Sequence, residues 1–214
     1  MAYDLYVVTD EAISNGCSHA EIALEAVRGG ADVVQLRDKK ATGKKLLEAA
    51  QAIREITLDT GTAFIVNDRL DIALLANADG VHLGQDDLPI SAVRALCPPG
   101  FLIGISVSTV AEAQQAQEAG ADYLGPGPVF PTTSKDDAGP LCGLDVLSGM
   151  RAAVRIPLVA IGGINLGNVQ DVIHSGAEGV AVISAVLAQK DMAAACRELR
   201  ALVQKAKGQN ILQV

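Results

Sequence analysis

Aromatic and basic residues are both scarce in this chain, and each shortage argues against a class of function. The 214 residues include three Phe, three Tyr and no Trp, which leaves few rings that could stack on nucleobases. The 17 Lys and Arg residues are outnumbered by 25 Asp and Glu residues, and the formal net charge of −8 repels polyanions. We therefore expect no nucleic-acid partner, whereas a few local cations suffice to bind a small anionic substrate.

Long apolar runs and paired cysteines are also lacking. No apolar run approaches the roughly 18 residues that a membrane span needs, and no basic, apolar leader follows Met1. Four cysteines, Cys17, Cys97, Cys142 and Cys196, are scattered without a CxxC pair, which argues against a zinc site and is typical of separate reduced thiols. We therefore expect a cytoplasmic protein with no membrane partner.

Apolar residues are abundant, in contrast, and they are arranged as short runs. They make up 50% of the chain, enough for one large core, and no linker interrupts them, so we expect a single domain over residues 1–214. Helical patterns follow the runs, most clearly over residues 19–28, 44–58, 70–76, 90–96 and 192–205. The eight runs are LYVVT, DVVQL, AFIV, GVHL, FLIGIS, DYLG, PLVAIG and GVAVIS. Continuous β-branched runs without alternation indicate parallel strands that are covered on both faces.

An internal echo accompanies every second strand. The segments GGADVVQL, ANADGVHL, AGADYLG and SGAEGVAV precede or form strands two, four, six and eight. The Gly or Asn before Ala suits a helix C-cap, and the next residues enter the following strand. Eight equivalent strand and helix pairs fit a closed (β/α)8 TIM barrel better than an open, doubly wound sheet.

Polar residues cluster where the predicted strands end. In a barrel all these strand ends converge on one face, where barrel enzymes place their chemistry. The candidate site comprises Thr9 and Asp10; Gln35, Arg37 and Lys39; Asn67 and Asp68; Gln85, Asp86 and Asp87; Ser106; Thr132, Thr133, Ser134 and Lys135; Gly162 and Gly163; and Ile183 and Ser184.

Two carboxylates of this set, Asp68 and Asp87, follow neighbouring strands. Oxygen ligands with no clustered His or Cys are typical of Mg²⁺, which keeps several waters and is commonly shared between carboxylates and substrate phosphates. Each Asp also precedes a helical segment and could be an N-cap, and for either residue alone the two interpretations are evenly matched. Their joint position at adjacent strand ends favours the metal.

The cations Arg37, Lys39 and Lys135 would, together with a metal ion, hold a diphosphate as a leaving group, because they neutralise the charge that develops as its bond breaks. The alternative is a solvated basic turn for the sequence RDKK and an ordinary surface position for Lys135. Lys135 also lies in the long segment 131–142, which is either a functional lid over the site or a disordered insertion.

Glycines follow the seventh strand in the motif AIGGI. Backbone amides of Gly162, Gly163 and the residues near Ser184 fit the phosphate pocket that barrels form after strands seven and eight. A tight strand exit is the alternative. The side-chain pattern of the three histidines suggests no nucleophile triad: His82 lies within a strand pattern typical of the core, and the other two fall on helices. We assign no histidine a catalytic role.

An ordered set of motifs resembles one known family, the thiamine-phosphate synthases. It comprises LYVVTD, VVQLRDK, FIVNDRLDIA, ADGVHLGQDDL, IGISV, ADYLGPGPVFPTTSK, AIGGI and GVAVISA, in order from Leu5 to about Leu187. The resemblance implies an enzyme that joins a hydroxymethylpyrimidine diphosphate to a thiazole phosphate, releasing pyrophosphate with Mg²⁺.

By the same resemblance, each candidate residue takes a role. The pyrimidine diphosphate would be bound by Gln35, Arg37, Lys39 and Asn67, with Ser106 and Lys135 completing its diphosphate site. The magnesium ligands would be Asp68 and Asp87. The positions for the thiazole phosphate would be Thr132, Ser134, Gly163, Ile183 and Ser184. Ser134 stands where the family often has Thr, which keeps the hydroxyl.

Two other functions fit the same barrel. A thiazole tautomerase, a paralogue of this family, carries a histidine where this chain has Pro128, and losing that acid/base group argues against its chemistry. A non-catalytic sensor of phosphorylated ligands would have little reason to keep both the carboxylate pair and Lys135. The sequence leaves open a homo-oligomer and the preferred form of the thiazole phosphate.

Overall fold

We describe the protein from a computed structural model over residues 2–134 and 139–211, with side chains up to residue 208. Eight parallel strands form one sheet in the order β6-β5-β4-β3-β2-β1-β8-β7. A parallel bridge between Leu124 in β6 and Leu158, just before β7, links its two ends. The (β/α)8 barrel expected from the sequence is thereby confirmed. Within the ranges covered, no helix combines the length and apolarity needed to cross a membrane.

The bounds of the strands follow the apolar runs closely. The strands are β1 Leu5–Val8, β2 Val33–Leu36, β3 Ala63–Asn67, β4 Gly80–Leu83, β5 Leu102–Val107, β6 Tyr123–Pro126, β7 Val159–Ile161 and β8 Gly179–Val182. The helices are α1 His19–Arg28, α2 Gly43–Thr57, α3 Leu70–Leu75, α4 Ile90–Leu96, α5 Val110–Glu118, α6 Gly143–Ala153, α7 Val169–His174, α8 Ser184–Leu187 and α9 Met192–Ile211.

The expectation of one helix after each strand is wrong at the end of the chain. β8 is followed by the short helix α8 and then by the long helix α9, whereas the pattern predicted only one helix over residues 192–205. The sequence SAVL has no polar face of its own, and Val186 and Leu187 are fully buried. A single apolar turn has too few residues to show a helical period, so it looks like an extension of the strand.

The barrel interior is organised around the three tyrosines of the chain. Tyr3 and Tyr6 both pack against Tyr123 in tilted arrangements. The ring centroid of Tyr3 lies 5.2 Å from that of Tyr123, and the ring centroid of Tyr6 lies 6.0 Å from it. All three side chains are buried. Gly104 on β5 makes this possible, because a Cβ there would lie 2.1 Å from the Tyr123 ring. The three tyrosines therefore pack together, although 117 residues separate Tyr6 from Tyr123.

The internal echo has a structural cause at the amino-terminal end of the barrel. Its acidic residue, one before each even strand, accepts a hydrogen bond from a backbone N–H at the start of the preceding strand and pairs with an arginine from a helix. The four acid–arginine pairs are Asp32–Arg200, Asp79–Arg54, Asp122–Arg94 and Glu178–Arg151, and the N–H donors are Leu5, Phe64, Ile103 and Leu158.

These pairs tie helices to strands at the end of the barrel away from the candidate site. The residues Gly30, Asn77, Gly120 and Gly176, which precede the Ala of each echo, all have positive φ, as the C-cap interpretation predicted. The echo therefore reports a repeated structural device, and it leaves the opposite end of the barrel for chemistry.

Candidate active site

The carboxylates Asp68 and Asp87 are brought together at the ends of β3 and β4. Burial, and then the charge of Asp87, raise the pKa of Asp68, while Lys39 opposes the shift. The Lys39 Nζ atom lies 3.5 Å from Asp68 Oδ2. Asp87 Oδ2 accepts a hydrogen bond of 2.7 Å from the Gly84 N–H, which holds the turn after β4. Two acidic groups thus share one site with one lysine.

The alternative that these residues are N-caps is wrong. The N-cap of α3 is Arg69 and that of α4 is Pro89, and neither helix has a side-chain cap. Asp68 also has a φ of 59°, an uncommon conformation for a residue other than Gly. The carboxylates are therefore placed by the strand ends and not by the helices that follow.

The donor set fits a hard cation that retains water. Within the described ranges, no group of three or more His, Cys, Asp and Glu side chains could hold a metal ion. Two carboxylates alone are too few for a structural zinc site, but they suit Mg²⁺, which completes its shell with water and phosphate oxygens. A cation between the carboxylates would also relieve the repulsion that raises the pKa of Asp68.

Arg37 and Lys39 flank Asp38 in the loop after β2. The Arg37 side chain is 11% exposed, and its Nη1 atom lies 3.9 Å from Asp10 Oδ2 after β1. A cleft beside this loop is lined by both cations and reaches Ser134 of the β6 loop. The two cations predicted for the diphosphate therefore lie in one cleft, with Lys39 turned towards the carboxylate pair.

A chain of hydrogen bonds crosses the barrel interior below this site. It joins Gln35 Nε2 to the Tyr6 hydroxyl at 2.7 Å, Tyr6 to the Tyr123 hydroxyl at 3.0 Å, Tyr123 to His82 Nδ1 at 3.1 Å, and His82 Nε2 to Ser106 Oγ at 2.9 Å. All five side chains line one narrow cavity.

One bond of this chain has a fixed direction. The Gln35 amide nitrogen donates to the Tyr6 hydroxyl. In the bonds of Tyr123 with Tyr6 and His82, and in the bond between His82 and Ser106, either partner can be the donor. Burial raises the pKa of both tyrosines well above the ordinary value, so both phenols stay protonated and able to donate.

A second cleft lies after β7 and β8. All five residues predicted for the thiazole phosphate line it: Thr132, Ser134, Gly163, Ile183 and Ser184. The Ser134 and Ser184 hydroxyls are 3.0 Å apart, and Thr132 Oγ1 accepts a hydrogen bond from the Ser134 N–H. The two hydroxyls, from β6 and β8 loops, converge on one point, as donors to a single anion would.

Glycine conformations shape the turn after β7 that lines this second cleft. Gly162 and Gly163 have φ of 101° and 64°, and a Cβ at Gly163 would lie 2.6 Å from the Pro131 oxygen. The Gly163 carbonyl accepts hydrogen bonds from the side-chain amides of Asn165 and Asn168, at 3.2 and 3.0 Å. Because carbonyl and N–H of a trans peptide point in opposite directions, this turns the next N–H away from the two asparagines. This turn is compatible both with a tight exit from β7 and with a phosphate-binding role.

Several residues of this region were not predicted from the sequence. The sequence predicts His82 in the core, and the structure shows that it also contacts the predicted site residue Ser106. The alternation of side chains along β4, which turns His82 to the barrel interior, could have indicated this contact. Tyr6 and Tyr123 carried no sequence signal beyond burial. Lys135 lies outside the described residues, as does part of segment 131–142, so both expectations stay predictions.

The fold and the two clefts define a (β/α)8-barrel protein with anion-binding geometry at the carboxyl ends of its strands. The family model described as thiamine monophosphate synthase matches residues 5–186. The chain belongs to the thiamine monophosphate synthase family.

Individual relatives agree with this assignment over nearly the whole chain. A thiamine-phosphate synthase of Methanoculleus marisnigri is 60% identical over 209 residues, covering 98% of this chain and 99% of that protein. One from Moorella thermoacetica is 51% identical, covering 96% and 98%. The solved structure of a thiamine phosphate pyrophosphorylase from Pyrococcus furiosus superposes with a TM-score of 0.87 at 40% identity, covering 95% of this chain and 96% of that one.

Proposed function

We propose that this protein condenses 4-amino-2-methyl-5-(diphosphooxymethyl)pyrimidine with a thiazole phosphate, giving thiamine phosphate and pyrophosphate. The observation that carries the proposal is the presence of two separate anion clefts at the same end of the barrel. One contains Arg37 and Lys39, the other contains Gly163 and Ser184, and Ser134 lines both. Two phosphorylated substrates bound in these clefts would meet at their shared edge.

The first cleft supplies what a departing diphosphate needs. We assign Arg37 and Lys39 to its oxygens and Asp68 and Asp87 to Mg²⁺, which when bound would neutralise charge on the diphosphate. Ser106, in the neighbouring interior cavity, adds a hydroxyl that His82 Nε2 contacts at 2.9 Å. Cations and donors placed where negative charge develops are the main source of such catalysis.

The pyrimidine part of the substrate would lie deeper, over the barrel interior. Gln35 and Asn67, at the ends of β2 and β3, provide amide groups that match a ring bearing nitrogen atoms and an amino group. An aminopyrimidine stabilises positive charge on its exocyclic methylene, so the diphosphate can leave before the thiazole nitrogen attacks. This order requires positioning and stabilisation of the leaving group more than a strong base.

The second cleft would hold the thiazole phosphate through hydroxyls and backbone amides, with no cation among its described lining residues. Thr132, Ser134 and Ser184 are the hydroxyl donors, and Gly163 and Ile183 contribute backbone. Lys135 we assign to the diphosphate from the sequence alone. A cytoplasmic location also remains a proposal, supported by four unpaired cysteines at positions 17, 97, 142 and 196.

The rival tautomerase chemistry lacks its acid/base group in this chain. Pro128, which stands where that paralogue has histidine, packs against Gly162 and has no titratable group. The hydroxyls nearest the second cleft, those of Ser134 and Ser184, bond to each other. We therefore favour the condensation.

The decisive experiment is turnover of the purified protein with both substrates and Mg²⁺, with thiamine phosphate and pyrophosphate measured in parallel. We expect the two products in equal amounts, and none when either substrate is omitted. Arg37→Ala serves as a control with weakened binding of the pyrimidine diphosphate. Binding of both ligands without any product would support the non-catalytic sensor instead.

A further inference from the structure

His19 is a buried histidine at the base of the first cleft, which it lines together with Arg37 and Asp38. Its side chain is 6% exposed, and it begins α1. Its Nδ1 atom lies 2.8 Å from the hydroxyl of Thr9, which is fully buried at the end of β1. Its Nε2 atom is buried without a hydrogen-bond partner among the residues that the structure describes. A buried ring nitrogen without a partner costs free energy, so its placement calls for a reason.

Thr9 links His19 to Arg37 through its hydroxyl oxygen. The Arg37 backbone N–H donates to Thr9 Oγ1 at 3.2 Å, and the Thr9 N–H donates to the Gln35 carbonyl at 2.9 Å. Thr9 therefore contacts Arg37 of the first cleft and Gln35 of the interior cavity, and its hydroxyl also contacts His19 Nδ1.

The other ring nitrogen of His19, Nε2, faces two carboxylates, at 3.6 Å from Asp38 Oδ2 and 3.9 Å from Glu11 Oε1. Glu11 Oε1 also accepts the His19 backbone N–H at 3.1 Å, which fixes the start of α1. Nε2 therefore lies between two acidic groups, each too far for a full hydrogen bond.

Asp38 holds the other end of the loop. Its Oδ1 atom accepts the backbone N–H groups of Lys40 and Ala41 at 2.8 and 2.9 Å. Burial works against ionisation of Asp38, but these hydrogen bonds and His19 outweigh it and lower its pKa. One side of the imidazole thus reaches Arg37 through Thr9, and the other side reaches Lys40 through Asp38.

We propose that His19 is a positioning residue for the pyrimidine diphosphate: it braces residues 37–40 from below through Thr9 and Asp38, and it does so without touching the substrate. The inference rests on the proposed function, since it takes Arg37 and Lys39 as diphosphate ligands. Positioning by a buried neighbour matters because a displacement of about 1 Å in a charged group can weaken binding and catalysis severely.

The test compares His19→Ala, His19→Asn and His19→Gln by steady-state kinetics, with the KM of each substrate measured separately. His174→Ala, an exposed histidine at the end of α7, is the matched control. We expect His19→Ala to raise the KM for the pyrimidine diphosphate about tenfold, or about 1.4 kcal/mol, with less than about a twofold change for the thiazole phosphate. Asn places an oxygen near the Nδ1 position and should recover most of the loss, whereas Gln should recover less.

Equal increases in both KM values, or His19→Asn no better than His19→Ala, would overturn the inference and leave His19 with a general structural role. If the His19 variants do not fold, Thr9→Val tests the same link, since it keeps the shape and removes the hydroxyl; an unchanged KM for the pyrimidine diphosphate would overturn it. Failure of the wild-type protein to turn over the two substrates would instead reject the proposed function, and this inference with it.

Discussion

His82 Nε2 lies 2.9 Å from Ser106 Oγ, which joins the interior of β4 to the end of β5 in the narrow cavity inside the barrel. The contact is the last of a chain that begins at Gln35 on β2. Its consequence is that a side chain in contact with the proposed diphosphate depends on a tyrosine pair deep in the barrel. Tyr123 is central to the chain, because its hydroxyl contacts both Tyr6 and His82.

Tyr123→Phe should therefore reduce both activity and stability. It removes the hydroxyl contacts with Tyr6 and His82, and an unsatisfied buried polar group costs about 1–3 kcal/mol. We expect a fall in kcat/KM of about tenfold and a lower melting temperature. Tyr3→Phe is the matched control, because Tyr3 stacks on Tyr123 but its hydroxyl is no member of the chain. Similar kinetic losses in both variants would show that only ring packing matters.

Activity should require a divalent cation and should depend on Asp87 far more than on its neighbour Asp86. Both residues are exposed, but it is the charge of Asp87 that acts on Asp68. We expect EDTA to abolish turnover and excess Mg²⁺ to restore it. Asp87→Ala should lower kcat/KM at limiting Mg²⁺ by about a hundredfold, on the scale of one lost charge-stabilising group, and Asp86→Ala by less than about threefold. A folded Asp87→Ala variant with wild-type turnover at limiting Mg²⁺ would disprove the metal assignment.

The two anion clefts should respond separately to substitution. Arg37→Ala should weaken binding of the pyrimidine diphosphate by about tenfold or more, because a charged hydrogen bond contributes about 1.5–3 kcal/mol. Ser184→Ala should weaken binding of the thiazole phosphate by about three- to tenfold, as expected for the loss of one neutral hydrogen-bond donor. Calorimetric titration of each ligand into each variant measures this. Equal losses for both ligands in both variants would point to a folding defect.

Asp122 should matter for stability and not for catalysis. At the amino-terminal end of the barrel it accepts the Ile103 N–H at 2.7 Å and pairs with Arg94 at 2.6 Å. Asp122→Ala leaves the Ile103 N–H without this acceptor, so we expect a loss of about 1–3 kcal/mol in the free energy of unfolding at unchanged kcat. Glu198→Ala, an exposed acid on α9, should cost less than about 0.5 kcal/mol. Urea denaturation checks both; a matching small loss for Asp122→Ala would contradict the structural role of the echo.

The barrel, its strand ends and the family were accessible from the sequence, because each rests on local pattern. Short apolar runs such as LYVV and GVHL end within a residue or so of the strands they predicted. The pairing of Asp68 with Asp87 also followed, since parallel strands in a barrel bring their carboxyl ends to one face. The helix α8 was missed because one turn carries no period. The roles of Lys39, Ser106 and the other site residues stay predictions until they are measured.

By itself, then, the sequence determined which elements form and which end of the barrel carries polar groups, because hydrophobic period and strand order need no knowledge of distances. Only the tertiary structure decided which polar groups meet across the barrel. The contacts Gln35–Tyr6 and His82–Ser106 span 29 and 24 residues, and Tyr6–Tyr123 spans 117. Such pairs depend on ring orientation inside a closed sheet and on the space left by Gly104, and no local pattern in the chain encodes either.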